Sequence, residues 1–502
     1  MNLNKISAAV TAAMAGLVAS TAFALPASQY NSTPGDTLDV FISGASAQDN
    51  ALERLLRNAC TTGTLDIFRA TNQRVLFCTI NNAGVPGFPV AGKKVAVHKT
   101  SVGGSGNGVQ PVANQTNLAF IDMAAIKAGT ITCAAPAAVA AETIAGITFA
   151  GYTNNASCGT DGTRNTVPDA GISDVEPALV GASASEIAKL DVSSQNAVVW
   201  GIPVSEALRN ALQEAQGKTV GAEDEANMPS LTYAQLSSIY AGTITDWSQL
   251  VGSTGADLPT TVTTIAGGAT APADTSVYLC RRVSTSGSQA SFEAHMLRAR
   301  CVSGVLGMPA GNDSGVVGNG TVNEGSGTSN VISCLSTHDQ NNRWAVGLFS
   351  TENVETNAVA GLNDGNVWRF IKINGHAPTL LNVNNGKYDF FTEQSIQWRN
   401  ANSGNPLSGL KLTLLGDIKT NAGSPNILRA LNNGFIHSWG DGGVMALVTN
   451  GFAPTAPVSG TPVTANAVRL NPVLTSTRSP SGAPNNCQPP VTYYPVDASS
   501  QF

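Results

Sequence analysis

The sequence predicts an α/β fold, and three stretches that share one grammar predict it. In each, apolar residues with a β bias run into a turn of Gly and Ser, and a helical pattern follows. The first is Leu38-Asp39-Val40-Phe41-Ile42, then Ser43-Gly44-Ala45-Ser46, then a helix with Leu52, Leu55 and Leu56 on one face. The second is Val95-Ala96-Val97-His98, then Val102-Gly103-Gly104-Ser105-Gly106, ahead of residues 109–113. The third is Val277-Tyr278-Leu279-Cys280-Arg281-Arg282, then Val283-Ser284-Thr285-Ser286-Gly287-Ser288, with a helix expected over 289–299. Taken alone, that last stretch reads as a serine-capped helix after a buried strand. Three such turns in one chain exceed what capping needs. Amide N–H groups at a helix start, the Ser286 and Ser288 hydroxyls and the close approach allowed by Gly287 make an oxyanion cradle. An arginine five or six residues earlier can return its planar fork to the same point.

Lys5, the apolar run 6–21 and Ala22-Phe23-Ala24 have the charge, apolar core and A-x-A site of a secretory signal peptide over 1–24. Cleavage there leaves 502 − 24 = 478 residues starting at Leu25, which is not a cysteine, so no lipid anchor is expected at that end. No later stretch approaches the roughly 18–20 apolar residues of a membrane span. The expected location is therefore the periplasm or the exterior. Lys and Arg number 27 against 33 Asp and Glu, and 12% of residues are charged, which argues against nucleic acid or anionic membrane as the main partner. A hydrophobic fraction of 42% in patterned segments excludes a disordered chain.

Eight cysteines in an exported chain point to disulfides. Pairing neighbours gives Cys60–Cys78, Cys133–Cys158 and Cys301–Cys334, which leaves Cys280 with Cys487. No pair has C-x-x-C spacing, so neither a zinc site nor a thioredoxin-type redox motif is expected.

Between the three turns the chain carries recognisable connectors. Residues 125–167, rich in Ala, Gly and Thr, read as an insertion stapled by Cys133 and Cys158. Asp169-Ala170-Gly171-Ile172-Ser173-Asp174-Val175-Glu176-Pro177 reads as a short strand ending in acidic residues. The run 197–204 contains a Gly-x-Pro break suited to a crossing between lobes, and 388–396 suits the return. Thr232-Tyr233-Ala234-Gln235 is a capping box, and the helix it opens buries Leu236, Ile239 and Tyr240 before stopping at Gly242. A Gly/Ser/Asn-rich loop over 303–329 precedes a helix from Asn330, and 344–349 is strand-like. Residues 471–502 read as an irregular tail over the surface, held by Cys487.

Three of these stretches together resemble the phosphate-binding proteins of ABC importers, within the periplasmic binding protein type 2 family. Leu231 to Trp247 is similar to that family's helix, glycine stop and tryptophan turn. Arg281-Arg282-Val283-Ser284-Thr285-Ser286-Gly287-Ser288 resembles its R-R-x-D-G-S-G-T loop, and 169–177 its D-x-G-x-S-D-x-P segment. The resemblance runs from about residue 38 to 350 and fades beyond. It implies a two-lobed periplasmic binding protein type 2 fold with insertions, lobe one being 37–203 plus 387–470 and lobe two 204–386. The ligand would lie between them, with Arg282 as charged donor, Ser286, Gly287 and Ser288 as hydroxyl and amide donors, and Asp174 as acceptor of a phosphate proton. Ser46 and Ser105 would complete the set. The chain departs from the pattern at Ser284, where an acidic residue would orient Arg282, and at Gln48 and Asp49, which replace a hydroxyl and an aromatic residue.

Other chemistries lack their residues. Gly87-Phe88-Pro89-Val90-Ala91-Gly92-Lys93-Lys94 nearly matches a Walker A loop, but Lys94 stands where Ser or Thr must hold magnesium. His98, His295, His338, His376 and His437 show no metal spacing, and no G-x-S-x-G elbow is present. The expected function is capture of an oxyanion, phosphate first, without catalysis, metal or cofactor, and with an ABC permease as onward partner. Alternatives are a surface or matrix protein that reuses the fold, and a phosphatase-like enzyme acting through Arg282 and Ser286.

Overall fold

Strands buried on both faces need near-continuous apolar runs, and β1 (Thr37–Gly44) is buried at every position from Val40 onward. A computed structural model describes residues 26–32, 35–81, 92–134, 137–144, 146–264, 269–311, 322–355, 367–458 and 461–494. The expected signal peptide and positions 87–91 of the Walker-like stretch lie outside the described residues. After β1 come α1 (Asp49–Ala59), β2 (Asp66–Arg69), β3 (Gln73–Thr79), β4 (Lys94–Thr100), the one-turn α2 (Gly104–Asn107), β5 (Tyr152–Ser157) and β6 (Ala170–Ser173). β1 pairs in parallel with β4 on one side and β6 on the other. Each of these strands therefore delivers its following turn to the same edge of the sheet, where open α/β sheets bind ligands.

The 16-residue β7 (Leu190–Ser205) is the connector. Its first part pairs antiparallel with strands of the first lobe, and Ile202–Ser205 pairs with the second lobe's sheet. The passage falls at Gly201, where a Cβ would meet the Phe370 ring at 2.5 Å. The second lobe holds α3 (Tyr233–Tyr240), β8 (Tyr278–Arg282), α4 (Gly287–Phe292), β9 (Val322–Gly325), α5 (Thr328–Gln340), β10 (Ala345–Gly347) and β11 (Trp368–Ile373). Here β8 is the parallel centre, between β9 and β10. The chain returns through β12 (Phe391–Arg399), which pairs with β6 and β7, then α6 (Gly409–Ala422), α7 (Pro425–Asn432) and β13 (Val444–Ala446). The result is a two-lobed α/β fold of the periplasmic binding protein type 2 kind with insertions.

The helix expected over 289–299 is shorter. After Phe292 it widens into a π-helical turn, Glu293–Leu297, closed by Arg298 at φ 58°. The widened turn frees the Met296 carbonyl, which accepts from Tyr233 Oη at 3.1 Å and Ser237 Oγ at 2.9 Å. α5 starts two residues before the expected Asn330.

Four disulfides form, Cys60–Cys78, Cys133–Cys158, Cys280–Cys334 and Cys301–Cys487. The expected Cys301–Cys334 and Cys280–Cys487 pairs are exchanged. The reason is packing: α5 lies across β8, so Cys334 reaches Cys280 within one apolar cluster that includes Val331 and Leu335. Cys301 lies past the π turn, in a cluster with Cys487 of the tail. That tail is also better built than an irregular wrap. Arg478, 3% exposed, donates to the carbonyls of Asp389, Phe391 and Gln488.

Candidate functional site

Ser46, Ser105, Asp174, Arg282, Ser286, Gly287 and Ser288 all line one cavity of about 250 Å³. Each arrives at the end of a strand: Ser46 after β1, Ser105 in α2 after β4, Asp174 after β6, and the rest after β8. Two glycines make the first approach possible. At Gly44, with φ 111°, a Cβ would meet the Ile172 carbonyl oxygen at 2.0 Å, and at Gly108 the same oxygen at 2.1 Å.

The lobes are in contact around this cavity. Gly106 N donates to the Thr285 carbonyl at 3.2 Å across the divide. A Cβ on Gly287 would lie 2.1 Å from Ser105 Oγ and 2.6 Å from Asp174 Oδ2, so only glycine permits this approach. Further out, Arg300 of the second lobe donates to the Leu179 carbonyl of the first at 2.6 Å.

Asp174 is buried and nearly saturated. Its Oδ1 accepts from Gln394 Nε2 at 2.8 Å, its Oδ2 from Ser105 Oγ at 3.2 Å, and its own N–H donates to Ser105 Oγ at 3.0 Å. Burial pushes its carboxyl pKa up, against those hydrogen bonds and the charges of Arg282 and Lys99. Ser105 thus orients Asp174 instead of offering a free hydrogen to the cavity. Arg282 is oriented without the acidic residue that Ser284 replaces: Nη1 donates to Thr328 Oγ1 at 3.1 Å and Nη2 to the Ser326 carbonyl at 2.8 Å. Its Nε is buried with no protein partner. Burial lowers its pKa and the Asp174 carboxylate opposes that. Arg281 points to the other face of the strand, paired with Glu324 at 2.5 Å.

Helix starts contribute less than the sequence suggests. α2 spans four residues and α4 six, too short for a sizeable macrodipole, so the cradle rests on amide N–H groups, hydroxyls and the guanidinium. Asp49 is not among the residues lining the cavity, and Lys99 Nζ at 3.1 Å, Arg74 Nη2 at 3.1 Å and Ser101 Oγ at 2.9 Å hold its carboxylate. Gln48 is turned inward onto Gln394.

Residues not singled out from the sequence complete the lining: Asn50, Ser101, Trp200, Thr328, Ser350, Glu352, Asn353 and Phe435 among them. Glu352 is the unexpected one. Ser350 Oγ donates to its Oε2 at 3.2 Å, and burial, with the nearby Asp174 and Asp49 carboxylates, pushes its pKa up to about 8. The only visible signal for it was a strand end followed by Ser350-Thr351, the same grammar without glycine. Cys280, Cys334 and His338 also cluster, but the two sulfurs are bonded to each other and so are not thiolate ligands.

A strand-end cleft lined by an arginine, hydroxyls and a buried carboxylate is thus the candidate ligand site of this fold. The family model described as a PBP superfamily domain matches residues 170–410. Among solved structures, the chain is similar to a protein from Clostridium perfringens described as a phosphate ABC transporter substrate-binding protein with bound phosphate, at 13% identity and TM-score 0.39, covering 79% of this chain and 97% of that one. An ABC-type phosphate transport receptor from Vibrio cholerae matches at 16% identity and TM-score 0.36, covering 79% and 98%. PstS from Borrelia burgdorferi matches at 12% and 0.34, covering 78% and 97%. No curated protein matches the chain. Four disulfides fit an oxidising compartment, and among the described residues no helix is long and apolar enough to cross a membrane.

Proposed function

We propose that the protein is an exported receptor, with residues 1–24 as its signal peptide, that captures an oxyanion between lobe one (37–203 plus 387–470) and lobe two (204–386). Phosphate is the reference ligand and an ABC permease the onward partner. One observation carries the reading: seven residues from four separated segments face one cavity. Arg282 supplies the charge, and Ser286, Gly287 and Ser288 donate from hydroxyl and amide groups. Asp174 accepts the proton that hydrogen phosphate still carries and sulfate lacks. Ser46 closes the mouth and Ser105 holds Asp174.

The test is calorimetric titration of the purified protein with phosphate and with sulfate. Phosphate is expected to bind and sulfate to bind more weakly, and Arg282→Ala should weaken phosphate roughly a hundredfold. Absence of binding by both anions would end the transport reading. It would favour the second one, an extracellular surface or matrix protein, which has in its support the Cys301–Cys487 bridge that ties the second lobe to the tail.

A further inference from the structure

Three features of the cavity go beyond what a bare tetrahedral anion requires. The first is size. With the lobes already touching through Gly106, Thr285 and Gly287, about 250 Å³ stays open. That is the liquid volume of about eight waters, whereas a five-atom anion fills the space of about two or three. A neighbouring cavity of about 220 Å³ shares Ser46, Asn50 and Ser101 with it, so the cleft continues past the mouth.

The second feature is Glu352. Among the described residues no cation pairs with it, and its one side-chain partner is the Ser350 hydroxyl. A carboxyl in that place accepts from a ligand that brings its own donors, and once ionised it repels a small dianion. The third is carbon. Trp200 and Phe435 join the lining, and a bare oxyanion has no apolar surface to set against them.

We infer that the cleft takes an oxyanion carrying an organic arm that ends in hydrogen-bond donors, a hydroxylated or amine-bearing phosphomonoester, with the anion at Arg282 and the arm's donors at Glu352. This rests on the oxyanion reading and narrows it. The arm's hydroxyl or ammonium group meets the Glu352 carboxylate with Asn353 beside it.

The experiment compares inorganic phosphate, glycerol 2-phosphate and phosphoethanolamine by calorimetry at pH 9, above the value of about 8 to which Glu352 is raised, on the wild type, Glu352→Gln, Glu352→Asp and Arg282→Ala. At least one ester is expected to bind about tenfold or more tightly than phosphate, the worth of one charge-assisted hydrogen bond. Glu352→Gln should remove that preference by weakening the ester, while phosphate binding rises because a negative charge has gone. Glu352→Asp, with the charge drawn back by one methylene, should give an intermediate loss. Phosphate binding as tightly as both esters overturns the organic arm and leaves the oxyanion reading in place. An ester preference indifferent to Glu352→Gln and Glu352→Asp overturns the placement of its donors. No binding by any of the three, with Arg282→Ala indistinguishable from wild type, sinks the oxyanion reading itself.

Discussion

Glu352 ties the site to the stability of the folded chain. Its ordinary pKa of 4.5 is pushed up to about 8 by burial and by the neighbouring carboxylates. The folded state therefore binds this proton more tightly than the unfolded state does. By linkage, stability is fully present below 4.5 and falls as pH rises through about 8. Asp66, raised to about 7, and Asp339 and Asp417, each raised to about 6, slope the same way, so wild type alone does not isolate Glu352. The difference between wild type and Glu352→Gln does. Denaturant midpoints of the two proteins should diverge between pH 5 and 8, with the variant gaining relative stability at the alkaline end. Parallel curves across that window would mean that Glu352 is not held protonated. At this scale Arg282 was named by the resemblance of its loop, the turn itself leaving Arg281 and Arg282 open; strand alternation is what separates them in the structure, with Arg281 paired to Glu324. Glu352 left no such trace. A lone Glu after a strand has no spacing partner, and its significance arises only when Asp174 and Asp49 are brought near by the fold.

The turn between β8 and α4 is where element geometry meets function. Gly287 brings the second lobe's backbone against Ser105 and Asp174, and a methyl group there has no room. Gly287→Ala should cost about 1–3 kcal/mol of stability by overpacking, and it should weaken anion binding because the wedge parts the lobes. Gly416, inside α6, has open space around its Cβ position. Gly416→Ala should stabilise by roughly 0.5–1 kcal/mol and leave binding alone. Denaturant titration of both variants, beside anion titration, checks the contrast. A harmless Gly287→Ala would mean that the close approach is not needed. Elements with a strong local signal were legible: the apolar runs of β1, β4 and β8, and the capping box at Thr232, whose hydroxyl accepts from Gln235 N at 3.2 Å. The π turn was not legible, because it is set by what Tyr233 and Ser237 demand of the Met296 carbonyl, a tertiary contact. β12 was legible as the return crossing over 388–396 but not to its end at Arg399, since Thr392, Glu393, Gln394 and Ser395 interrupt the apolar pattern. Those polar side chains are buried because Asp174, Asn486 and the tail pair with them.

Across the whole molecule, the tail acts on the passage between lobes. Arg478 donates to backbone carbonyls at Asp389 and Phe391 and lies over the Phe391 ring at 4.9 Å. Asn486 donates to Glu176 of the first lobe, and the next residue is bonded to Cys301 of the second. Apolar residues from both sides, Val112, Val175 and Leu179 against Ala290 and Ala294, fill the same region. Closure is thus reinforced covalently. The double variant Cys301→Ser/Cys487→Ser should lose about 2–4 kcal/mol of stability, and its radius of gyration in small-angle scattering should increase without ligand. An unchanged radius would show that the bridge adds nothing to closure. The two-lobed plan could be read in the sequence because it rests on repeated local grammar. The disulfide exchange could not, since neighbours along the chain were the only available guide and α5 brings a more distant residue onto β8.

The crossed connectivity also bears on how the chain matures. Cys280 and Cys301 leave the ribosome one after the other, yet each must wait for a later partner, Cys334 and Cys487 respectively. Oxidation in order of appearance would join Cys280 to Cys301 and trap a wrong crosslink at the rim of the cradle. A thiol–disulfide shuffling catalyst would resolve such a crosslink, and cells lacking one should accumulate a mispaired, protease-sensitive form.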